Sequence, residues 1–300
     1  MSVPQLVFHP IYSQLDLPVR HRFPIQKYQG IHDALLSEGI SANRFHLPAA
    51  LNMNAISRVY DPVYVDQLCN GQLDQKAMRR IGFPWSKQLV ERTLTAAAGT
   101  VLTSTLALEH GKALNLTGGY HHAFANFGSG FCMINDLYLA ALNMLQTRRI
   151  DRVLVFDCDV HQGDGTAKLA ANNNAVYTVS IHGEKNFPYR KQVSDLDFGL
   201  AKGTGDDEFL STVEQAWQMA INYAQPDAVI YDAGVDVHID DDLGHLNIST
   251  EGVLARDNFV FAQCEKLGLP IAAVIGGGYQ RDIDALVNVH MQLFKAAGVY

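Results

Sequence analysis

The chain has little that a membrane, a disulfide framework or a nucleic-acid backbone would require. No apolar run approaches the ~18–20 residues of a bilayer span, and Met1–Pro10 lacks the basic-then-apolar order of a secretion signal. Four cysteines (Cys69, Cys132, Cys158, Cys264) stand far apart without a C-x-x-C pair. That spacing argues against a structural zinc module and suits a reducing, cytoplasmic setting. Cations are in deficit, 23 Lys and Arg against 31 Asp and Glu for a net charge of −8, so direct nucleic-acid binding is not expected. Repeats and low-complexity linkers are absent too. What remains is a 300-residue chain, 48% hydrophobic and 18% charged, of globular composition and long enough for a large α/β domain.

The densest chemistry lies in RVLVFDCDVHQGDGT, residues 152–166. Val153–Phe156 is a short apolar run of the kind buried on both faces of a parallel sheet. It ends in Asp157, Asp159 and His161, before a Gly-Asp-Gly turn. Side chains alternate along an extended chain, so the spacing predicts these three on one side. Two carboxylates and an imidazole at a strand's carboxyl end suit Zn²⁺ or Fe²⁺. Asp157 and Asp164 each need a partner to sit beside a buried strand.

Other strand-like runs are Gln5–Phe8, Ala175–Ile181, Ala228–Tyr231 and Ile271–Ile275. Helical spacing marks Ile25–Leu36, Asp61–Leu68, Trp85–Glu109, Phe209–Ala224 and Val253–Leu267. Gly111 caps the longest of these, and Asn135 or Asp136 starts a further helix with the stripe Leu137, Ala140, Ala141, Met144, Leu145. This alternation predicts one three-layer α/β domain over residues 1–300, with helices on both faces of an open, mostly parallel sheet. In such folds ligands bind beyond the carboxyl ends of the strands. His121 and His122 follow a double glycine, Asp236 follows the Val229–Tyr231 run, and Tyr279 follows Gly276–Gly278. All four fall in that zone.

Five segments, GGYHHAFANFGSGFCMIND (118–136), RVLVFDCDVHQGDGT (152–166), VSIHGEKNFP (179–188), YDAGVDVH (231–238) and GGGYQ (276–280), together resemble the histone deacetylase family of the arginase–deacetylase superfamily. The short form ending in GGGYQ looks more like bacterial and class IV members than class I. The resemblance implies an eight-stranded, arginase–deacetylase type sheet and a zinc-dependent amide hydrolase. It implies Asp159, His161 and Asp236 as metal ligands, His121 and His122 as a catalytic pair backed by Asp157 and Asp164, and Tyr279 as the carbonyl-contacting tyrosine. It further implies Phe131 and Phe187 as walls of an acyl-lysine tunnel and Gly130 as an acceptor for the substrate amide. A structural K⁺ ion would lie against Asp157, Asp159, His161, Ser180 and Ile181.

The chemistry is coherent residue by residue. Two carboxylates and one neutral imidazole balance a divalent ion and leave coordination positions open. A histidine must take a proton from water, and an amine leaving group needs one back. Carboxylates on the far ring nitrogens would set each tautomer, and a phenol would donate to the oxyanion. Plainer readings stand beside these: a capping histidine pair in a loop, a turn aspartate at Asp236, and core aromatics at Phe131, Phe187 and Tyr279. Arg22 reads equally as an anion-binding arginine or a surface charge. His238 and His245, flanking Asp240–Asp242, read as a second metal site or as a solvated rim loop.

Some positions depart from the family pattern. Gln162 replaces a second histidine common after the ligand. The loop Arg80–Ser86 holds no acid where class I members carry a rim aspartate. Asp240–Asp242 is therefore the expected source of attraction for cationic substrates, against a turn without that role. The expected substrate is an acyl-lysine in a peptide or protein. An acetylpolyamine or other small N-acyl amine is the alternative, and a non-catalytic acyl-amine-binding protein a remoter one. An arginase-like dimanganese centre would need an acid where Gly163 stands.

Overall fold

The computed structural model describes residues 3–51, 53–147 and 149–300. Its strands are β1 (Gln5–Val7), β2 (Phe45–His46), β3 (Lys112–Asn115), β4 (Val153–Asp157), β5 (Val176–Gly183), β6 (Leu196–Leu200), β7 (Ala228–Asp232) and β8 (Ile271–Val274). The helices described are α1 (Lys27–Ser37), α2 (Met53–Ile56), α3 (Pro62–Asn70), α4 (Gln75–Ile81), α5 (Lys87–His110), α6 (Asp136–Leu145), α7 (Asp164–Ala170), α8 (Asp206–Ala224), α9 (Thr250–Leu267) and α10 (Ile283–Ala296).

All eight strands join one open sheet in the order β2-β1-β3-β8-β7-β4-β5-β6, and every pairing is parallel. The alternation of apolar residues along the strands creates the layers. Val153 and Val155 of β4, Ala228 and Ile230 of β7, and Ala272 and Val274 of β8 pack with Leu106 and Ala107 of α5 and Leu137, Ala140 and Met144 of α6. The intervening Leu154, Phe156, Val229, Tyr231 and Ala273 face the other way. They join a larger core with Trp217 of α8, Val260 of α9 and Leu293 of α10. A period of two in the strands and a stripe on each helix are enough to build three layers.

Helix ends follow the local chemistry. The Ser86 side chain accepts from Leu89 N at the start of α5, Gly111 (φ 84°) ends it, and the Asn135 side chain accepts from Tyr138 N at the start of α6. The expected helices and strands recur with their ends shifted by a few residues. Sequence pattern does not mark the short β2, β3 and β6, nor the helices α2, α4, α7 and α10. Four residues of β3 between a helix cap and a glycine turn carry too little pattern to read.

The chain lays down β3, then β4 to β6 toward one edge, and only afterwards inserts β7 and β8 between β3 and β4. The central strands β3, β8, β7 and β4 are therefore neighbours although their sequences are far apart. The four loops with candidate chemistry leave the carboxyl ends of these four strands.

Candidate active site

Strand β4 stops at Asp157, so Asp159 and His161 are not aligned by strand alternation as the spacing suggested. Backbone hydrogen bonds place them instead: Asp159 N donates to Asp157 Oδ1 (3.0 Å), and His161 N donates to Asp159 Oδ1 (2.9 Å). Val160 N donates to Asp236 Oδ1 (2.8 Å), which ties the end of β4 to the loop after β7. Gly277 N donates to Asp159 Oδ2 (2.8 Å) from the loop after β8. His161 Nδ1 lies 3.0 Å from both Asp159 Oδ1 and Asp236 Oδ2. The three side chains are buried, and their ligand atoms lie within 4.8 Å of one another.

This cluster fits a divalent cation. A Cβ on Gly277 would lie 2.1 Å from Asp236 Oδ2 and 2.5 Å from Asp159 Oδ2, so only glycine leaves these carboxylate oxygens unobstructed there. Burial and the Asp159 charge push the Asp236 carboxyl up to about 7. Burial opposes a charged His161, but hydrogen bonds to Asp159 and Asp236 outweigh it and raise the ring to about 10. Two carboxylates this close bind either a proton or a cation.

His121 and His122 sit beside the cluster on the loop after β3. Their Nε2 atoms are 3.1 Å apart. His121 Nδ1 lies 2.8 Å from Asp157 Oδ2, and His122 Nδ1 lies 2.6 Å from Asp164 Oδ1. With both Nδ1 atoms donating to carboxylates, a hydrogen bond between the Nε2 atoms requires one further shared proton. The surroundings favour its residence on His121. Burial opposes charge there, but Asp157, Asp159 and Asp232 overcome it and hold the ring well above its usual range. Burial and the neighbouring His121 charge lower His122 to about 4, despite Asp164. Asp136, at the start of α6, holds the preceding turn: its carboxylate accepts from Gly119 N (3.1 Å), Tyr120 N (2.7 Å) and Thr100 Oγ1 (2.6 Å). Gly165 lets α7 approach, since a Cβ there would lie 2.4 Å from Ala123 O and 2.6 Å from His121 O.

A cavity of about 420 Å³ leads to these groups, and His122, Gly130, Phe131, His161, Phe187 and Tyr279 all line it. The Phe187 ring stands edge-on to His122 at 4.8 Å. Phe131 lies 5.9 Å from Tyr279 and 5.3 Å from Phe23. Phe131 has a positive φ of 65°, strain of about 1–3 kcal/mol for a non-glycine residue and a common feature of functional sites. Gly130 packs so closely that a Cβ would lie 2.6 Å from His122 Cδ2. Burial and the Asp159 and Asp236 charges push the Tyr279 phenol up, so it keeps its proton. Ser180, the register partner of Asp157, and Ile181 lie buried on the neighbouring β5.

The three carboxylates of the Asp240–Asp242 triplet stand in different surroundings. Asp241 accepts from the backbone N–H groups of Leu243 (2.8 Å), Gly244 (2.9 Å) and Tyr279 (2.7 Å). Asp242 is paired with Arg281 Nε at 2.7 Å, and Asp240 is exposed beside His238. His238 is buried and hydrogen-bonded to Thr250, Gln280 and Asp240 N. It joins neither of the metal-competent groups found among the described residues, which corrects the second-metal reading of that loop.

Sequence reasoning missed three supporting residues. The buried Arg256 of α9 donates to the carbonyls of Gly234 (2.6 Å), Ala233 (3.1 Å) and Cys158 (3.3 Å), and pairs with Asp257 at 2.9 Å. It thereby clamps both loops that carry the Asp159–His161–Asp236 cluster. Lys27 Nζ donates to Gly276 O (3.1 Å) and Gly278 O (3.3 Å), bracing the Tyr279 loop. Asp232, at the end of β7, is wholly buried with neither oxygen hydrogen-bonded. An acid closing a buried apolar run was its one available signal.

A histone deacetylase domain model matches residues 21–294. An uncharacterised protein of Picosynechococcus sp. is 45% identical over 293 residues, 97% of each chain. Histone deacetylase 2 of Arabidopsis thaliana is 32% identical over 245 residues, covering 79% of this chain and 60% of that one. Two crystal structures, an HDAC homolog complexed with SAHA and an HDAC homolog from Aquifex aeolicus, superpose with TM-scores of 0.84 over 99% of this chain and 85% of theirs. At 22% and 21% identity they attest the fold. With the domain match spanning nearly its whole length, the chain belongs to the histone deacetylase family, hydrolases acting on acetylated amides.

Proposed function

We propose that this protein hydrolyses an N-acyl amide of an acyl-lysine side chain, with a metal ion held by Asp159, His161 and Asp236. One observation carries the reading: the metal-competent cluster, the carboxylate-backed histidine pair and Tyr279 converge at the base of one aromatic-walled cavity. Two carboxylates and one imidazole match the donor set of catalytic zinc, and Fe²⁺ suits the same donors. Zinc bound there would polarise the acyl carbonyl and acidify water.

The chain's own residues do the rest. One imidazole of the pair accepts the proton of the attacking water, and the pair returns one to the leaving amine. Asp157 and Asp164 hold the rings by Nδ1, which turns both Nε2 atoms toward the reaction. Tyr279 donates its hydroxyl hydrogen to the oxyanion. Phe131 and Phe187 flank the aliphatic stem and exclude water, and the Gly130 carbonyl accepts from the substrate amide. On the same reading Asp157, Asp159, His161, Ser180 and Ile181 would hold a structural potassium ion through oxygen donors, a hard set suited to a monovalent cation.

An acetylpolyamine amidohydrolase would use the same machinery with a different entrance. The test is amine release by purified, zinc- or iron-loaded protein from a panel of acetyl-lysine peptides, longer acyl-lysine peptides and acetylpolyamines. Turnover of an acyl-lysine peptide supports the reading. Tight binding without turnover of any member would leave an acyl-amine-binding protein instead.

A further inference from the structure

The chain carries a net charge of −8, yet the mouth of its cavity is positive. Arg22, Arg80 and Lys185 line it with His245, against one acid, Asp242. That acid is committed to Arg281, and Asp241 is turned inward onto three backbone N–H groups.

The tunnel wall itself holds these cations in place. Arg80 O accepts from Gly130 N (3.1 Å), its Nε donates to Gly128 O (3.1 Å), and its guanidinium lies 4.1 Å over the Phe127 ring. Arg22 sits between His21, anchored at 2.8 Å to Gly82 O, and Phe23, packed against Phe131 and Tyr279. Lys185 precedes Asn186, whose amide donates to Leu243 O at 2.9 Å, and Phe187 of the wall. Beyond Phe187 a hollow of about 1150 Å³ continues the positive strip with Arg80, Lys168 and Arg190, and Tyr189 lines both spaces. Two acids share that lining, Asp61, which caps α3 through Val63 N and Tyr64 N, and Asp164, which backs His122, against the three cations. Exposed guanidinium and ammonium groups around a recess attract carboxylates, arginine in a bidentate fork, and repel polyamines and lysine-rich segments.

Resting on the deacylase reading above, we propose that the substrate carries anionic groups next to its acylated amine. Carboxylates of Asp or Glu flanking an acyl-lysine, or the α-carboxylate of lysine itself, supply this chemistry.

The test compares kcat/KM for three acetyl-lysine peptides flanked by two Glu, two Gln or two Lys, in the unaltered zinc-loaded enzyme across a salt series. The Nα-blocked acetyl-lysine, as free acid and as amide, and a mono-acetylated diamine complete the set. Glu flanks should exceed Lys flanks by roughly tenfold or more at low salt, within the 10–10³ range of electrostatic steering. The ratio should shrink as salt rises past ~0.15 M, where screening acts within ~8 Å. The exposed double variant Arg22→Glu/Lys185→Glu should reverse the order. Preference for free acid over amide would also support the proposal and assign the carboxylate to the substrate amino acid; equality there, with the Glu preference kept, assigns it to flanking residues. Equal rates on all three peptides at low salt, or preference for the Lys peptide or the diamine, would overturn it. In that event turnover of the Gln peptide leaves the deacylase reading standing. No turnover of any substrate at full zinc loading removes both.

Discussion

Two buried groups of identical composition lie side by side at the ends of the central strands. Asp159–His161–Asp236 and His121–Asp157–Asp232 each combine two carboxylates with one imidazole, and each is compact enough to hold a metal. Their prior commitments separate them. In the first, backbone N–H groups orient both carboxylates, and His161 opens on the cavity. In the second, His121 has spent one ring nitrogen on Asp157 and the other on His122. Asp232 there lies against Gly119 and Gly276, where a Cβ would come within 2.8 Å and 2.2 Å of its oxygens. Residue inventory alone therefore does not make a metal centre. On the proposed reading, the cluster whose imidazole opens on the cavity is the one that would hold the metal.

Removing a ligand breaks the first cluster outright. Asp236→Ala should lose bound zinc and activity together, since three protein ligands leave no redundancy; metal content and turnover measured on the same sample check it, and a fully loaded, active variant would disprove the ligand assignment. Breaking the pair beside it should spare the metal. His122→Ala should retain zinc while kcat falls by about 10²–10⁴, and Tyr279→Phe by roughly 10²–10³. Single-turnover assays on zinc-quantified protein separate these outcomes, and near-normal turnover in either variant would remove that residue from the mechanism.

Stability tests the shared scaffold. Arg256→Met strips three carbonyls of their donor and leaves Asp257 buried without its cation. Loss of one partner of such a pair costs about 3–5 kcal/mol, readable as a shift in the denaturant midpoint; an unshifted midpoint would show that the clamp is dispensable. The smallest effect is expected in the second cluster. Burial and the Asp157 charge hold Asp232 well above the carboxylate range. Its contribution is complete below the ordinary value of ~3.9 and is lost as pH rises through the raised one. Asp232→Asn removes that loss, so its stability relative to the parent should grow from about pH 4 toward neutrality, with divalent stoichiometry unchanged. A fall in bound divalent metal would move the metal to the second cluster.

Much of this was legible in local pattern. The run Val153–Phe156 announced a doubly buried strand because no polar side chain interrupts it, and Gly111 and Asn135 marked helix ends by their conformational and hydrogen-bonding habits. Asp159 and His161 were readable as a ligand pair from adjacent residues. Their placement on one strand face was not correct, because the strand ends at Asp157 and backbone N–H groups direct the next turn. Asp236, Tyr279 and the histidine pair stood out only as segments in a familiar order.

By itself the sequence determined the element types and the layered class, since these depend on composition and short-range periodicity, and the order of its five segments pointed to the candidate site residues. Tertiary structure alone decided that β7 and β8 close the gap between β3 and β4, which brings four distant loops together. It also decided that Arg256 braces two of them, that Asp232 lies against glycines with neither oxygen hydrogen-bonded, and that the mouth is positive on an acidic chain. Each depends on which charge finds which partner across the sheet, a through-space relation between residues far apart in the chain.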